Sequence, residues 1–166
     1  MRLNFGCGKK IKQGWYNVDL QKGKGIQKSF DFDKFPYPLK HDSFSFILLD
    51  NVLEHLNDPK RVLEELYNCS KADAQIMIKV PYYNCKGAYN DITHKHFFNE
   101  TTFDNMINPE KHYGVRDQDN KKFKIMYVKL IPTRFGKLFP RFIRKQVSYV
   151  LGEVFKEIEV SLIVMK

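Results

Sequence analysis

Two glycines, Gly6 and Gly8, close the stretch Leu3-Asn4-Phe5, and Asp19 follows eleven residues beyond Gly8 within Asn17-Val18-Asp19-Leu20. Glycine lets a ligand approach the backbone and permits positive φ in a tight turn. A carboxylate at the tip of the next strand can accept hydrogen bonds from a ribose diol. Strand, glycine turn and acid-tipped strand together could hold a nucleoside, whereas the glycine pair alone would fit any surface turn. A second group lies in Asn90-Asp91-Ile92-Thr93-His94-Lys95-His96-Phe97-Phe98. An imidazole with an ordinary pKa near 6.5 can act as a base near neutrality, so His94 and His96, with Asp91 beside them, are the catalytic candidates. The same three residues could ligate zinc or iron. No fourth ligand stands at convincing spacing, and no metal is expected; a histidine bonded to backbone is the structural alternative.

The glycine turn narrows the kind of nucleoside. A dinucleotide site wants a third glycine and a helix aimed at a pyrophosphate. Here Lys9-Lys10-Ile11 takes the third glycine's place. The gap to Asp19 is too short for a crossover helix, since a whole βαβ connection needs ~10–12 residues including its helix. A cofactor without phosphates, S-adenosylmethionine, is favoured over NAD or FAD.

The run from Leu3 to Leu20, then Asp31-Phe32-Asp33-Lys34-Phe35-Pro36-Tyr37-Pro38, Asp42-Ser43-Phe44-Ser45-Phe46-Ile47 and Asp50-Asn51-Val52-Leu53-Glu54-His55-Leu56, resembles the class I S-adenosylmethionine-dependent methyltransferases, in the compact bacterial and archaeal type with a shortened first helix. The resemblance extends through about Phe103. It implies an α/β, Rossmann-like methyltransferase fold: a mostly parallel central sheet with an antiparallel C-terminal strand and helices on both faces. It also implies that the Gly6-Cys7-Gly8 backbone faces the methionine portion, Asp19 the ribose, Asp31 with Phe32 the adenine, and Asp50 with Asn51 the methionine side again. Phe5 and Leu20 flank these as further cofactor contacts. The missing third glycine and Ser45, where the family usually has aspartate, are departures. Glu54-His55 is common in the family, but a structural histidine is as good a reading of His55 as a base.

Apolar runs alternate with helical patterns, as a parallel α/β sheet requires. Strands are expected at Leu3–Phe5, Tyr16–Leu20, Gln27–Phe32, Phe44–Leu49 and Gln75–Val80. Asp50-Asn51 can cap a helix carrying Val52, Leu53 and Leu56, and Asp58 another with Pro59 at its first position and an inner stripe of Val62, Leu63, Leu66 and Tyr67. Lys122–Leu130 and the alternation Ile158, Val160, Leu162, Val164 read as two more strands. Pro140 can open a helix striped by Ile143, Val147, Val150, Leu151 and Val154. One methyltransferase domain over 1–166 is expected, with a cofactor-binding core at 1–103 and C-terminal strands plus a basic amphipathic helix at 104–166.

With 166 residues, 43% hydrophobic and 14% aromatic, the chain can bury a core unaided. Cys7, Cys69 and Cys85 are odd in number with no C-x-x-C, which suits a reducing cytoplasm. No run of eighteen apolar residues suggests a membrane span. A net charge of +9 points to an anionic partner. Five basic residues among apolar ones in Arg134–Lys145 could rest on an anionic membrane or clasp a lipid-linked acceptor; as structure they are snorkelling cations over the sheet. Nucleic acid is not favoured, since no recognition motif accompanies the charge.

The expected activity is methyl transfer from S-adenosylmethionine to oxygen on a small-molecule, sugar or lipid-linked acceptor. A nucleic-acid N-methyltransferase would more often show Asn/Asp-Pro-Pro-aromatic after the fourth strand, unlike Asp50-Asn51-Val52-Leu53. The alternatives are a tRNA or protein methyltransferase and a non-catalytic cofactor-binding partner subunit. Oligomeric state is not encoded legibly.

Overall fold

Seven strands form the frame: β1 (Arg2–Phe5), β2 (Tyr16–Asp19), β3 (Lys28–Ser29), β4 (Phe44–Asp50), β5 (Ser70–Pro81), β6 (Phe123–Pro132) and β7 (Phe155–Val164). In this computed structural model, which describes residues 1–108 and 122–166, they make one sheet in the order β3-β2-β1-β4-β5-β7-β6. The first five pair in parallel, while β7 runs antiparallel to both β5 and β6. The strand order reverses between β1 and β4, so a crevice opens at their carboxyl ends.

The two faces of the sheet differ sharply. Register places Leu3 beside Ile47 and Phe5 beside Leu49, then Ile76 and Ile78 beside Leu162 and Val160. These side chains are fully buried in one core, joined by Val62, Leu63 and Leu66 of α1 (Pro59–Cys69) and Phe103 of α3 (Glu100–Ile107). The alternate positions carry Asn4, Gln75, Met77, Lys79, Glu159 and Ser161. Gln75 donates to Ser161 at 2.9 Å, and Lys79 pairs with Glu159 at 3.3 Å, so this face is polar and its side chains range from buried (Asn4, Ser161) to half-buried. The cover expected on both faces is thus uneven: α1 and α3 join the apolar face, where Tyr37 and Phe32 also stack over Phe5.

The connections explain why so few helices form. Between β1 and β2 there is no helical turn; two buried asparagines hold that loop instead. Asn4 Nδ2 donates to Asn17 Oδ1 and to the Lys10 carbonyl, while Asn17 Nδ2 donates to the carbonyls of Lys12 and Trp15. By contrast α1 starts as its sequence requires, with the Asp58 carboxylate accepting from Arg61 N at 2.9 Å and Pro59 in the first turn. Asn99 caps α3 with a reciprocal capping box through Thr102.

Three expected elements differ. After β4 a single 3-10 turn, Leu53–His55, forms with Val52 at its cap and no side-chain cap bond, so Asp50 and Asn51 do not cap it. The helix expected from Pro140 shrinks to α4 (Arg144–Ser148), leaving Val150 exposed while Val154 is buried beyond it. The third strand contracts from Gln27–Phe32 to Lys28–Ser29, because Phe30 and Phe32 turn into the aromatic cluster over Phe5. A short helix, α2 (Lys86–Tyr89), follows β5. Among the described residues no helix is long and apolar enough to cross a membrane.

Candidate active site

At the tip of β1 the chain turns through Gly6 (φ +67°) and Gly8 (φ +49°). Gly6 N and Cys7 N both donate to the Val18 carbonyl at 3.0 Å, which folds the turn against β2. A Cβ on Gly6 would stand 2.5 Å from Val52, whereas one on Gly8 would meet open space. Gly6 is therefore required by packing, and Gly8 presents bare backbone. Asp19 ends β2, half-buried; Oδ2 accepts from Gly8 N at 2.7 Å and Oδ1 from Gln21 N at 3.1 Å. Each oxygen keeps a lone pair for a hydroxyl. Leu20 beside it is 61% exposed, an apolar surface offered to the crevice.

The remaining candidates lie along the same strand tips. Asp31 accepts from Asp33 N at 3.0 Å. Asp33 is occupied by Asn57, whose backbone and side-chain N–H groups both donate at 2.8 Å. Phe32 and Phe5 stack at 4.0 Å and are buried, so their rings belong to the core and only their backbone can face a ligand. Cys7 is likewise buried, and burial pushes its thiol above the ordinary range. Asp50 pairs with Lys10 at 2.9 Å and accepts from Asn51 Nδ2 at 3.0 Å. Asn51 itself has φ +57° and is exposed.

Beyond Asn51 an open cleft of about 570 Å³ is walled by the 3-10 turn, the start of α2 and the loop that follows it. Asn51, Glu54, His55, Pro81, Asp91 and His94 are among its lining residues. His94 Nδ1 lies 2.8 Å from the Ala88 carbonyl, which can only accept, so this nitrogen carries a proton and Nε2 is the ring nitrogen left for a ligand. His55 Nδ1 lies 2.8 Å from Thr93 Oγ1. Thr93 donates its hydroxyl proton to Asp91 at 2.7 Å and so accepts from His55, which again leaves Nε2 bare. Burial, and then the neighbouring His94, hold His55 below its usual pKa. Glu54 is fully buried, and neither carboxylate oxygen has a hydrogen-bond partner. Burial pushes its pKa up to about 7, opposed by its own amide and by His94.

The structure therefore brings His94 and Asp91 together and sets His96 apart. His96 Nε2 faces the Asn57 carbonyl at 3.3 Å and does not line the cleft. Sequence reasoning named Glu54 only as part of the Glu54-His55 dipeptide and Lys10 only as standing in a third glycine's place, and it passed over Thr93; the burial of Glu54 without a partner is a property of the fold.

Residues 16–78 match the family described as a methyltransferase domain. The matched stretch runs from β2 into β5 and includes α1. A methyltransferase from Archaeoglobus fulgidus has a TM-score of 0.61 at 18% identity, over 98% of this chain and 85% of its own. One from Mesorhizobium loti has a TM-score of 0.63 at 15% identity, over 98% and 89%. The complex between the Trm112 methyltransferase activator and a methyltransferase of Haloferax volcanii has a TM-score of 0.64 at 10% identity, over 99% and 82%. These likenesses carry the Rossmann-like fold. No curated protein matches the sequence. S-adenosylmethionine is the cofactor that the sequence reading expects at this turn. The bare backbone at Gly8 and the half-open Asp19 carboxylate fit its adenosyl part without calling for a phosphate site.

Proposed function

We propose that this protein is an S-adenosylmethionine-dependent methyltransferase that acts on a hydroxyl of a small-molecule, sugar or lipid-linked acceptor bound in the cleft beyond Asn51. The observation that carries the reading is the position of that cleft: Asn51 lines it, directly after Asp50 at the tip of β4, so an acceptor there borders the methionine end of a cofactor held by the glycine turn.

S-adenosylmethionine supplies a methyl group on a sulfonium, and the chain's task is alignment and removal of one proton. Asp19 holds the ribose diol, the Gly6-Cys7-Gly8 backbone the methionine portion, and Asp31 with the Phe32 backbone the adenine. Asp50 and Lys10 offer opposite charges to the ammonium and carboxylate of the amino-acid end. Glu54, His55 and His94 turn lone pairs toward the acceptor hydroxyl, and the proton leaves there. Asp91 acts through Thr93 as a positioning residue. His96 holds Asn57 at the rim.

The carboxyl-terminal segment favours an acceptor at an anionic membrane. Arg134, Lys137, Arg141, Arg144 and Lys145 are interspersed in sequence with Leu138 and Phe142 and followed by Val150, which are 78%, 81% and 84% exposed. Asn84 donates to the Ser148 carbonyl and accepts from Glu153 N, which ties this surface to the loop bordering the cleft. Three buried free cysteines agree with a cytoplasmic location.

The test is calorimetric titration with S-adenosylmethionine, followed by labelled methyl transfer to a panel of sugars, phenols and glycolipids. Cofactor binding with label on an acceptor oxygen is the expected result. Label on RNA or protein, or binding with no transfer until another protein is added, would replace this reading by one of its alternatives.

A further inference from the structure

Glu54, His55 and His94 each offer one donor atom, and these atoms lie within 4.8 Å of one another. The hydrogen-bond pattern makes the cluster unusual. Both imidazoles direct their Nδ1 protons at oxygen acceptors, Thr93 Oγ1 and the Ala88 carbonyl, which leaves Nε2 of each as the nitrogen available to a ligand. Glu54 adds a carboxylate that is 0% exposed and has no donor on either oxygen. The donor atoms thus converge around a buried carboxylate without a hydrogen-bond partner, and a buried polar group left so requires an ion, a proton or a water to explain it. Imidazoles oriented through Nδ1–H to a carbonyl or hydroxyl are also the usual outer contacts of metal-bound histidine.

We propose that Glu54, His55 and His94 bind a divalent transition-metal ion, zinc or iron(II) by ligand type, with its open coordination position facing the cleft. Two imidazoles and one carboxylate form a three-ligand set that leaves room for a further ligand. Ligand distances of about 2.0–2.2 Å require the three side chains to draw in by roughly an ångström from their present spacing. Thr93 and the Ala88 carbonyl are positioning groups for the two imidazoles. The ion site departs from the Asp91, His94, His96 set suggested by spacing: Asp91 reaches the site only through Thr93, and His96 is turned to Asn57. Ion binding stands independently of methyl transfer. Its role rests on that reading: an ion here would bind the acceptor hydroxyl and make it more acidic, with His94 serving as ligand.

The test uses tag-free protein stripped with a chelator and titrated with Co²⁺, read by its visible ligand-field spectrum. One ion per chain is expected, displaced by Zn²⁺, with no thiolate charge-transfer band. Glu54→Gln and His94→Ala should each weaken binding by at least about tenfold, and Thr93→Val by about 10–100-fold. His96→Ala should leave it unchanged. If Glu54→Gln fails to fold, His94→Ala carries the comparison. Absence of cobalt binding, with an infrared band showing a neutral Glu54 carboxyl, would overturn the proposal, because the cluster would then be closed by a proton. Equal affinity in the variants or a thiolate band would overturn it too. S-adenosylmethionine titration of the same samples separates the two readings: cobalt bound without cofactor keeps the ion site and removes the methyltransferase role.

Discussion

Gly6 shows two constraints meeting on one atom that is not there. Its φ of +67° disfavours any side chain, and a Cβ would collide with Val52 at 2.5 Å. Gly6→Ala should cost about 1–3 kcal/mol of stability, measured by urea unfolding, and displace the turn that faces the cofactor. Asp19 is different, since it lies half-open at the strand tip. Asp19→Ala should weaken S-adenosylmethionine binding by about 2 kcal/mol, some thirtyfold by calorimetry, through loss of charge-assisted bonds to the diol. Unchanged affinity would remove Asp19 from the cofactor site. The glycines and Asp19 were legible because backbone conformation and strand-tip position leave a trace in residue type. Glu54 was not legible: a glutamate in a helical turn reads as solvated until the fold places Lys95 and His96 amides on its carbonyl and shuts its side chain in.

At the scale of elements, the loop from Gly6 to Trp15 replaces a helix with side-chain bonds. Asn17 makes four of them: two accepted, from Asn4 and Lys12, and two donated, to Lys12 and Trp15. Asn17→Ala should destabilise the protein by about 2–4 kcal/mol, at roughly 1 kcal/mol per lost bond, and loosen the cofactor loop, seen as faster amide exchange there. The shortness of this connection was readable from the interval to Asp19; its asparagine staple was not, because it depends on β1 and β2 being neighbours. The segment after β6 failed as a sequence prediction for a related reason. Its apolar spacing is helical, yet short helices depend on tertiary packing. Bonds from Asn84 to Ser148 and Glu153 hold the chain in another course. Gly136 anchors that course, since a Cβ there would lie 1.9 Å from the Val154 carbonyl oxygen. Gly136→Ala should force β7 and the basic segment apart, costing about 3 kcal/mol or more in unfolding free energy.

The whole molecule should tolerate acid better than alkali in one respect. Burial pushes Cys69 up to about 12 and raises Tyr37 and Tyr82 above the usual tyrosine range. The unfolded chain ionises its thiols from about pH 8.5 and its tyrosines from about pH 10, while the fold keeps these protons. Stability from these groups is therefore complete below the unfolded values and is lost as pH rises toward the folded ones. Tm should fall steadily from about pH 8.5, and Cys69→Ala should flatten the first part of that fall. A Tm constant to pH 11 would contradict the burial of these groups.

The polar side of the sheet has a practical meaning. Gln75 and Met77 sit on middle strand β5, one backbone layer beneath Ile76 and Ile78, with their own side chains only half-buried. A fluorescent or spin-bearing reporter attached at either position would need no excavation of the interior. It would stand on β5 some way before the strand tips that border the crevice, able to register a change in the sheet without competing for a ligand's place.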